Sequence, residues 1–251
     1  MPGVEGRIAL VTGAGRGIGR HTAEILMARG AEVIGVSRSE DELSRLGCPY
    51  IAKDLGSADG CSDVIKEAEK RFGRIDILVC NHGIGSAHES VIWEQSSEDW
   101  RQTMRVNLDS PFYLSRMVLK GMKERGFGRL VYTSSTAGLI PEYAGSAYNT
   151  SKHGLIGLMR SVSVDAGEYG ITANAVLPGW VKTEMAEVSA ATEAKEQGLT
   201  TDEVWAERAA LYPAGRVLTP EEVAEVIAFL SSEEASGVSG EAIRVALGGA
   251  I

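Results

Sequence analysis

Short apolar, β-branched runs alternate with longer segments of helical periodicity along the 251 residues of the chain. Such alternation is typical of repeated β-α-β units, which build a buried parallel sheet covered by helices. It predicts an α/β fold in which a doubly wound, seven-stranded parallel sheet has helices on both faces. The predicted strands are RIALVT (7–12), EVIGVS (32–37), PYIAKD (49–54), DILVC (76–80), RLVYTS (129–134), ITANAVL (171–177) and AIRVA (242–246).

Five longer segments have the periodicity of helices. The stretch TPEEV at 219–223 adds the signature of a helix start, with a capping Thr, a Pro at the first helical position and early acidic residues. No repeat, low-complexity tract or flexible linker divides the chain, which predicts one domain over residues 1–251. The helical segments are residues 17–29, 57–72, 97–125, 147–168 and 220–231.

Residues 182–213 differ from the other connections in the chain. They have helical composition but only short apolar faces, and they separate the sixth strand from the last long helix. A segment of this length above the carboxyl edge of a sheet is either a substrate lid or a surface insertion. We favour the lid.

The charge pattern excludes several classes of partner. The formal charge is −9, and no basic block or stripe accompanies it, so we expect neither a nucleic acid nor a membrane as partner. The apolar runs fall short of the ~18 residues that a membrane span needs. The cysteines lack metal-ligand spacing and the N-terminus MPGVEGR lacks a leader pattern, so we expect no metal site and a soluble, cytoplasmic protein.

Four glycines crowd the stretch TGAGRGIG at 12–19, between the first strand and the first helix. A tight turn alone needs one or two glycines. A diphosphate bound at the helix N-terminus needs more, because backbone N–H groups must approach the anion. We expect Gly13 to make the turn, Gly17 to admit the anion and Gly19 to let helix and strand pack closely. The turn as a whole supplies candidate cofactor contacts at Gly13, Arg16, Gly17, Ile18 and Gly19.

The end of the second strand bears on the choice of dinucleotide. An NAD site usually has an acidic residue there for the ribose 2′-hydroxyl, whereas this chain has Ser37 and Arg38, with no carboxylate before Glu40. A guanidinium suits a 2′-phosphate, and Arg16 can supply a second cation. NADP is therefore preferred to NAD, the alternative being that both arginines are solvated surface residues.

Polar residues also follow the third and fourth strands. Asp54 can accept a hydrogen bond from the adenine amino group, and Leu55 can cover the ring. Asn81 lies directly after the fourth strand. Because Asp and Asn often cap turns, each signal is weak alone, but all of them fall at one edge of one sheet.

Tyr148 and Lys152 stand four residues apart in a predicted helix and so share a face. A nearby ammonium favours the phenolate and would lower the pKa of the phenol, making it usable for proton transfer. Ser135, just beyond the fifth strand, can hydrogen-bond a carbonyl oxygen. Each pattern also arises by chance in structural helices and turns, but together they predict a carbonyl-reduction site.

The chain resembles the short-chain dehydrogenase/reductase family, and over nearly its full length it is similar to the 3-oxoacyl-carrier-protein reductase branch. The ordered set of motifs carries the resemblance. They are TGAGRGIG, a strand followed by Asp54, NHG at 81–83, Asn107 within VNL, Ser135 followed three residues later by Gly138, Tyr148 and Lys152, and PGWVKT at 178–183.

The resemblance implies one Rossmann-type domain with a Ser135-Tyr148-Lys152 centre, to which Asn107 is added as the holder of a water chain to Lys152. Tyr148 would donate the proton, and Lys152 would also bind the nicotinamide ribose. It further implies homotetramers, or homodimers, that pair the long helices containing Asn107 and Tyr148. Additional cofactor contacts are implied at Asn81, Gly83, Pro178, Gly179, Val181 and Thr183.

Two departures from the family pattern stand out. His82 replaces a methyl group; its ring either makes a polar contact behind the site or points to solvent, and we favour solvent or a structural role. The C-terminus reads VALGGAI where Asp-Gly-Gly is common, which bears on subunit contacts.

The predicted substrate is a small or medium apolar ketone or aldehyde. Docking of a carrier protein is doubtful, because the helices near the expected mouth offer Arg125 and Arg129 at one place but Glu168 and Tyr169 at another. The pocket residues expected are Ile84, Ile140, Tyr143, Trp180 and Met185.

The sequence therefore predicts an NADPH-dependent reductase that converts this carbonyl compound to an alcohol. The alternatives are an NAD-dependent secondary alcohol dehydrogenase, a 3-oxoacyl-carrier-protein reductase and a non-catalytic dinucleotide-binding sensor.

Overall fold

A computed structural model describes residues 3–85 and 90–249. Seven parallel strands form one sheet in the order β3-β2-β1-β4-β5-β6-β7. This arrangement confirms the predicted doubly wound α/β fold, and no strand end differs from the predicted one by more than two residues. The strands are β1 (Ile8–Thr12), β2 (Glu32–Ser37), β3 (Tyr50–Ala52), β4 (Ile77–Cys80), β5 (Gly128–Thr133), β6 (Ile171–Pro178) and β7 (Ala242–Val245).

The predicted helices are present, and one short helix, α2, was not predicted. A π-helical turn at Arg105–Asp109 joins α4 to α5, so that residues 97–125 are not one regular α-helix. Single turns of 3₁₀-helix lie at Thr136–Gly138 and Gly167–Tyr169. The α-helices are α1 (Gly17–Ala28), α2 (Glu40–Ser44), α3 (Ala58–Phe72), α4 (Ser97–Met104), α5 (Ser110–Arg125), α6 (Ser146–Ala166), α7 (Glu184–Gln197), α8 (Thr201–Ala210) and α9 (Pro220–Leu230).

The sheet is buried on both faces, which explains its continuous apolar strands. In β1 all five residues are buried, and successive side chains enter opposite cores. Leu10 joins the core under α3, α5 and α6, whereas Val11 joins the core under α1 and α9. At about 25 cal/mol per Å² of buried apolar surface, these two layers dominate the stability of the fold.

The strand order reverses between β1 and β4, which are neighbours in the sheet. The connections after these two strands therefore diverge and leave a crevice at the carboxyl edge. Parallel strands bring all their carboxyl ends to this edge, so the residues singled out after β1, β2, β3, β4 and β5 come together there.

The segment 182–213 folds into the pair α7 and α8. Their contact has a small core of its own, formed by Ala190, Ala194, Val204 and Trp205. The Arg208 guanidinium stacks 3.7 Å from the centre of the Trp180 ring and bonds the Glu193 carboxylate at 2.7 Å. The segment thus packs as a unit of its own and contacts the end of β6 through Arg208 and Trp180.

Within residues 3–85 and 90–249, no helix is long and apolar enough to cross a membrane.

Candidate active site

A cavity of about 1470 Å³ opens at the carboxyl edge of the sheet. Its walls come from the strand ends, from the N-terminus of α1 and from α7. Every residue that the sequence predicted as a cofactor contact, except Gly19, lines it, as do Ser135, Tyr148 and Lys152. The structure therefore brings the predicted residues into one continuous space.

The glycine turn has a backbone that other residues would strain. Gly13 and Gly17 have φ angles of +66° and +52°, in the region that favours glycine. A Cβ at Gly19 would lie 2.2 Å from the carbonyl oxygen of Gly13, so only glycine lets α1 lie this close to the turn. Among the residues that the structure describes, no side chain caps the N-terminus of α1, whose Ncap residue is Arg16, so its first N–H groups can bind an anion.

A carboxylate lies among the predicted 2′-phosphate residues. Arg16, Ser37 and Arg38 line the cavity as expected, but so does Glu42 on α2. A Cβ at Gly15 would lie 2.5 Å from Glu42 Oε2, and Arg16 Nη1 lies 3.9 Å from Glu42 Oε1. The sequence could not show this, because α2 is short and was not predicted.

The residues after β3 and β4 are held by local hydrogen bonds. Asp54 Oδ1 accepts the N–H of Gly56 at 3.0 Å, and Leu55 is buried while lining the cavity. The Asn81 amide donates to the carbonyl of Thr12 at 3.3 Å and accepts from Thr133 Oγ1 at 3.2 Å. Its side chain is thus engaged in joining β1 to β5.

The Tyr148 side chain lies on α6, where its ring centre is 5.5 Å from Lys152 Nζ. The ammonium donates to the carbonyl of Thr133 at 2.9 Å, which fixes the buried side chain against the end of β5. Ser135 begins the 3₁₀ turn, and its hydroxyl accepts the N–H of Ala137 at 3.1 Å. The phenol, hydroxyl and ammonium all face the cavity.

The expected lowering of the Tyr148 pKa is not found in the isolated chain. Burial raises the pKa of Tyr148 to about 12, Ser135 opposes this by hydrogen bonding, and the Glu142 carboxylate adds to it. Burial also lowers the pKa of Lys152 to about 8, because removal from water penalises the ammonium. The phenol is therefore protonated at neutral pH and suited to donating a proton.

Asn107 lies in the π-helical turn and is only 1% exposed. Its carboxamide accepts the N–H of Ile84 and donates to the carbonyl of Ile84, both at 2.9 Å, and it also donates to Ser151 Oγ at 3.1 Å. The side chain thus fastens the connection after β4 to α6. A Cβ at Gly83 would lie 3.3 Å from Asn107 Oδ1 and 3.6 Å from Lys152 Nζ, so these groups converge.

The segment PGWVKT leaves the sheet above the cavity. The N–H of Gly179 donates to the carbonyl of Val245 at 3.0 Å, and Val181 pairs with Leu218. Thr183 caps α7, with its hydroxyl accepting the N–H of Ala186 at 3.2 Å. Pro178 closes β6, and all four predicted contacts of this segment line the cavity.

Two sequence expectations need correction. Tyr143 is 85% exposed and is outside the cavity lining, unlike the other four expected pocket residues. Arg129 is buried at the start of β5, at the amino edge of the sheet, where it donates to the carbonyls of Ser232 and Gly170. It therefore does not stand at the cavity mouth. The His82 ring fits the structural alternative, because both of its ring nitrogens have protein partners 2.7 Å away.

The residues present fit a dinucleotide. An uncapped helix N-terminus with glycines of positive φ suits a diphosphate, and the crevice on either side of it has room for the two nucleoside halves.

A family model described as Enoyl-(Acyl carrier protein) reductase matches residues 13–249. The 3-oxoacyl-[acyl-carrier-protein] reductase of Vibrio cholerae is 35% identical over 249 residues, covering 96% of each chain. The chain belongs to the short-chain dehydrogenase/reductase family. The chain is almost equally similar to D-beta-hydroxybutyrate dehydrogenase of Cupriavidus necator, with 34% identity over 94% of this chain and 95% of the relative.

Two solved structures of oxidoreductases have the same fold as this chain. Levodione reductase superposes with a TM-score of 0.91 at 30% identity and 96% coverage of both chains. The ligand-free aldohexose dehydrogenase of Thermoplasma acidophilum gives a TM-score of 0.89 at 31% identity, covering 98% of this chain and 94% of its own. The protein is thus an NAD(P)-dependent oxidoreductase of this family, as the resemblance implied.

Proposed function

We propose that the protein reduces a small or medium apolar ketone or aldehyde to the alcohol, with NADPH as cofactor. The observation that carries the proposal is the Tyr148 phenol, which faces the cavity beside Ser135 and Lys152. The hydride comes from the reduced nicotinamide of the bound cofactor.

The chain's own groups would divide the remaining work. Ser135 holds the carbonyl oxygen by a hydrogen bond, and the Tyr148 hydroxyl donates its proton to that oxygen as the alcohol forms. The Lys152 ammonium, fixed by Thr133, stabilises the phenolate left behind and binds the nicotinamide ribose. Asn107 holds the water chain through which a proton returns to Lys152.

Apolar residues support the assignment of an apolar substrate. Aliphatic and aromatic side chains in the cavity wall come from the connection after β4, the stretch beyond the 3₁₀ turn, PGWVKT, α7 and the end of α8. Segment 182–213 acts as the lid in this proposal, because α7 supplies part of that wall. The residues are Ile84, Ile140, Trp180, Met185, Val188 and Leu211.

A turnover assay at 340 nm tests the substrate and the cofactor together. Apolar ketones, 3-oxo acids and sugars are compared with NADPH and NADH, and we expect the highest kcat/KM for an apolar ketone with NADPH. Equal turnover of sugars and apolar ketones would contradict the substrate class. Efficient reduction of 3-oxoacyl groups on a carrier protein would favour the carrier-protein reductase instead.

Glu42 favours a second candidate, an NAD-dependent secondary alcohol dehydrogenase. A carboxylate beside the 2′ position can accept from a ribose hydroxyl and repels a 2′-phosphate. Preference for NADH in the same assay, together with faster oxidation than reduction at neutral pH, would support this candidate.

We further propose a homotetramer, or a homodimer, paired through α5 and the helix that contains Tyr148. Exposed apolar side chains on these helices, Phe112 at 42% and Val164 at 82%, support it. Light scattering tests it against the 26.7 kDa mass of one chain.

We propose a cytoplasmic location, supported by three free thiols. Cell fractionation tests the location.

A further inference from the structure

The His82 ring bridges two elements that build the site. It follows β4, with Nδ1 2.7 Å from Thr12 Oγ1 and Nε2 2.7 Å from Ser110 Oγ. Both hydroxyl residues are fully buried. Distances this short mark strong hydrogen bonds, so the ring is held at both nitrogens.

On one side the ring is tied to the glycine turn. Thr12 ends β1 and immediately precedes Gly13. Its hydroxyl also accepts the N–H of Asn81 at 3.0 Å, and its carbonyl accepts the Asn81 amide at 3.3 Å. Loss of the imidazole would therefore loosen the place where β1 passes into the turn.

On the other side the ring is tied to the π-helical turn. Ser110 is the first residue of α5 and directly follows this turn, which contains Asn107. Asn107 in turn holds both backbone groups of Ile84, two residues beyond His82. Two links thus join the connection after β4 to the π-helical turn, one through Asn107 and one through His82.

The charge state of the ring suits a bridge of this kind. Burial and the Lys152 ammonium lower the pKa of His82 to about 4, so the ring is neutral at pH 7. The Thr12 hydroxyl donates its proton to the carbonyl of Val79 at 3.0 Å, so Nδ1 of the neutral ring donates to Thr12 and Nε2 accepts from the Ser110 hydroxyl. The methyl group usual in the family at this position cannot make either bond.

We propose that His82 is a positioning residue that couples the glycine turn to Asn107, so that dinucleotide binding and the geometry of proton transfer are set together. The inference rests on the proposed roles of Asn107 and Lys152. The side chain acts through Thr12 and Ser110.

Two variants separate the two bonds. In His82→Asn the amide can place a polar atom near the Nδ1 position and keep the Thr12 bond. In His82→Gln the longer amide can reach the Nε2 position and keep the Ser110 bond. NADPH binding is measured by its fluorescence on titration, and kcat is measured separately.

We expect His82→Asn to bind NADPH within about twofold of wild type and to lose about tenfold in kcat, the equivalent of one lost buried hydrogen bond. We expect His82→Gln to weaken NADPH binding about tenfold with a smaller change in kcat. Ser110→Ala is the matched control and should reproduce His82→Asn, and the two changes combined should cost no more than either alone.

Equal losses of binding and kcat in both variants, tracking a fall in Tm, would show that the ring only supports folding and would overturn the coupling. Wild-type values in both variants would overturn it as well. Tyr148→Phe is measured alongside. If Tyr148→Phe keeps full activity, the proposed function fails, whereas an inactive Tyr148→Phe with unaffected His82 variants removes the coupling alone.

Discussion

The two halves of the cavity are built differently. The cofactor half consists of strand ends and backbone held by the buried sheet, as in the turn from Thr12 to Gly19. The substrate half relies on α7 and α8, which have a four-residue core of their own. A scaffold of strand ends fixes the geometry of reacting groups, whereas a separately packed insertion can change its lining without disturbing them.

The largest expected effect belongs to the strand-end half. Tyr148→Phe removes the proton donor but keeps the ring, and we expect kcat to fall by about 10³-fold with NADPH binding unchanged. Steady-state kinetics and fluorescence titration measure the two quantities. Tyr212→Phe, which removes a hydroxyl bound by the N–H of Trp180, is the comparison variant and should keep most of kcat. A fully active Tyr148→Phe would contradict the assignment of the proton donor to this half of the cavity.

The pH dependence of reduction tests the same half. Lys152, with a pKa near 8, is an ammonium below that pH and becomes neutral above it. Stabilisation of the phenolate is therefore present at pH 7 and lost by pH 9, and kcat/KM for reduction should fall about tenfold between these values. A profile measured from pH 6 to 10 that stays flat would contradict this role for Lys152.

A change in the segment 182–213 should weaken substrate binding without affecting cofactor binding. Arg208→Leu removes the buried guanidinium that joins Glu193 to Trp180, and we expect KM for the ketone to rise about fivefold with NADPH binding unchanged. Arg216→Leu, which breaks an exposed pair with Glu222, is the matched control and should leave KM unchanged. Weaker NADPH binding in Arg208→Leu would show that the halves are not independent.

The smallest effect concerns the cofactor preference. Glu42→Gln removes the carboxylate beside Arg16, and we expect the ratio of kcat/KM for NADPH over NADH to rise about threefold. Glu40→Gln is the control, since Glu40 accepts from the Tyr50 hydroxyl instead. A falling ratio in Glu42→Gln would argue against the 2′-phosphate site.

The sequence predicted the strand-end half well, because that half depends on local signals. Apolar runs give the strands, and parallel strands bring their carboxyl ends to one edge whatever the loops do. The position of Gly13 follows from this rule, and that of Tyr148 and Lys152 follows from their four-residue spacing at the start of α6, against the end of β5.

The remaining features depend on contacts between distant residues. Glu42 reaches the cavity only because α2 forms, and five residues give too little periodicity for prediction. The His82 partners lie 70 and 28 positions away, so no local pattern reports them. The pKa of Tyr148 depends on burial, which spacing alone does not reveal.

The wide turn at Arg105–Asp109 gives the long helix one residue more than regular winding would use. Removing a residue there would let the winding become regular and would shift the residues inside the turn, whereas α4 and α5 would keep nearly their present rotation about the helix axis. The carboxamide of Asn107 would then leave the backbone of Ile84, although no chemical group had been altered. Insertions and deletions at this turn should therefore be less tolerated than substitutions on the exposed face of the same helix.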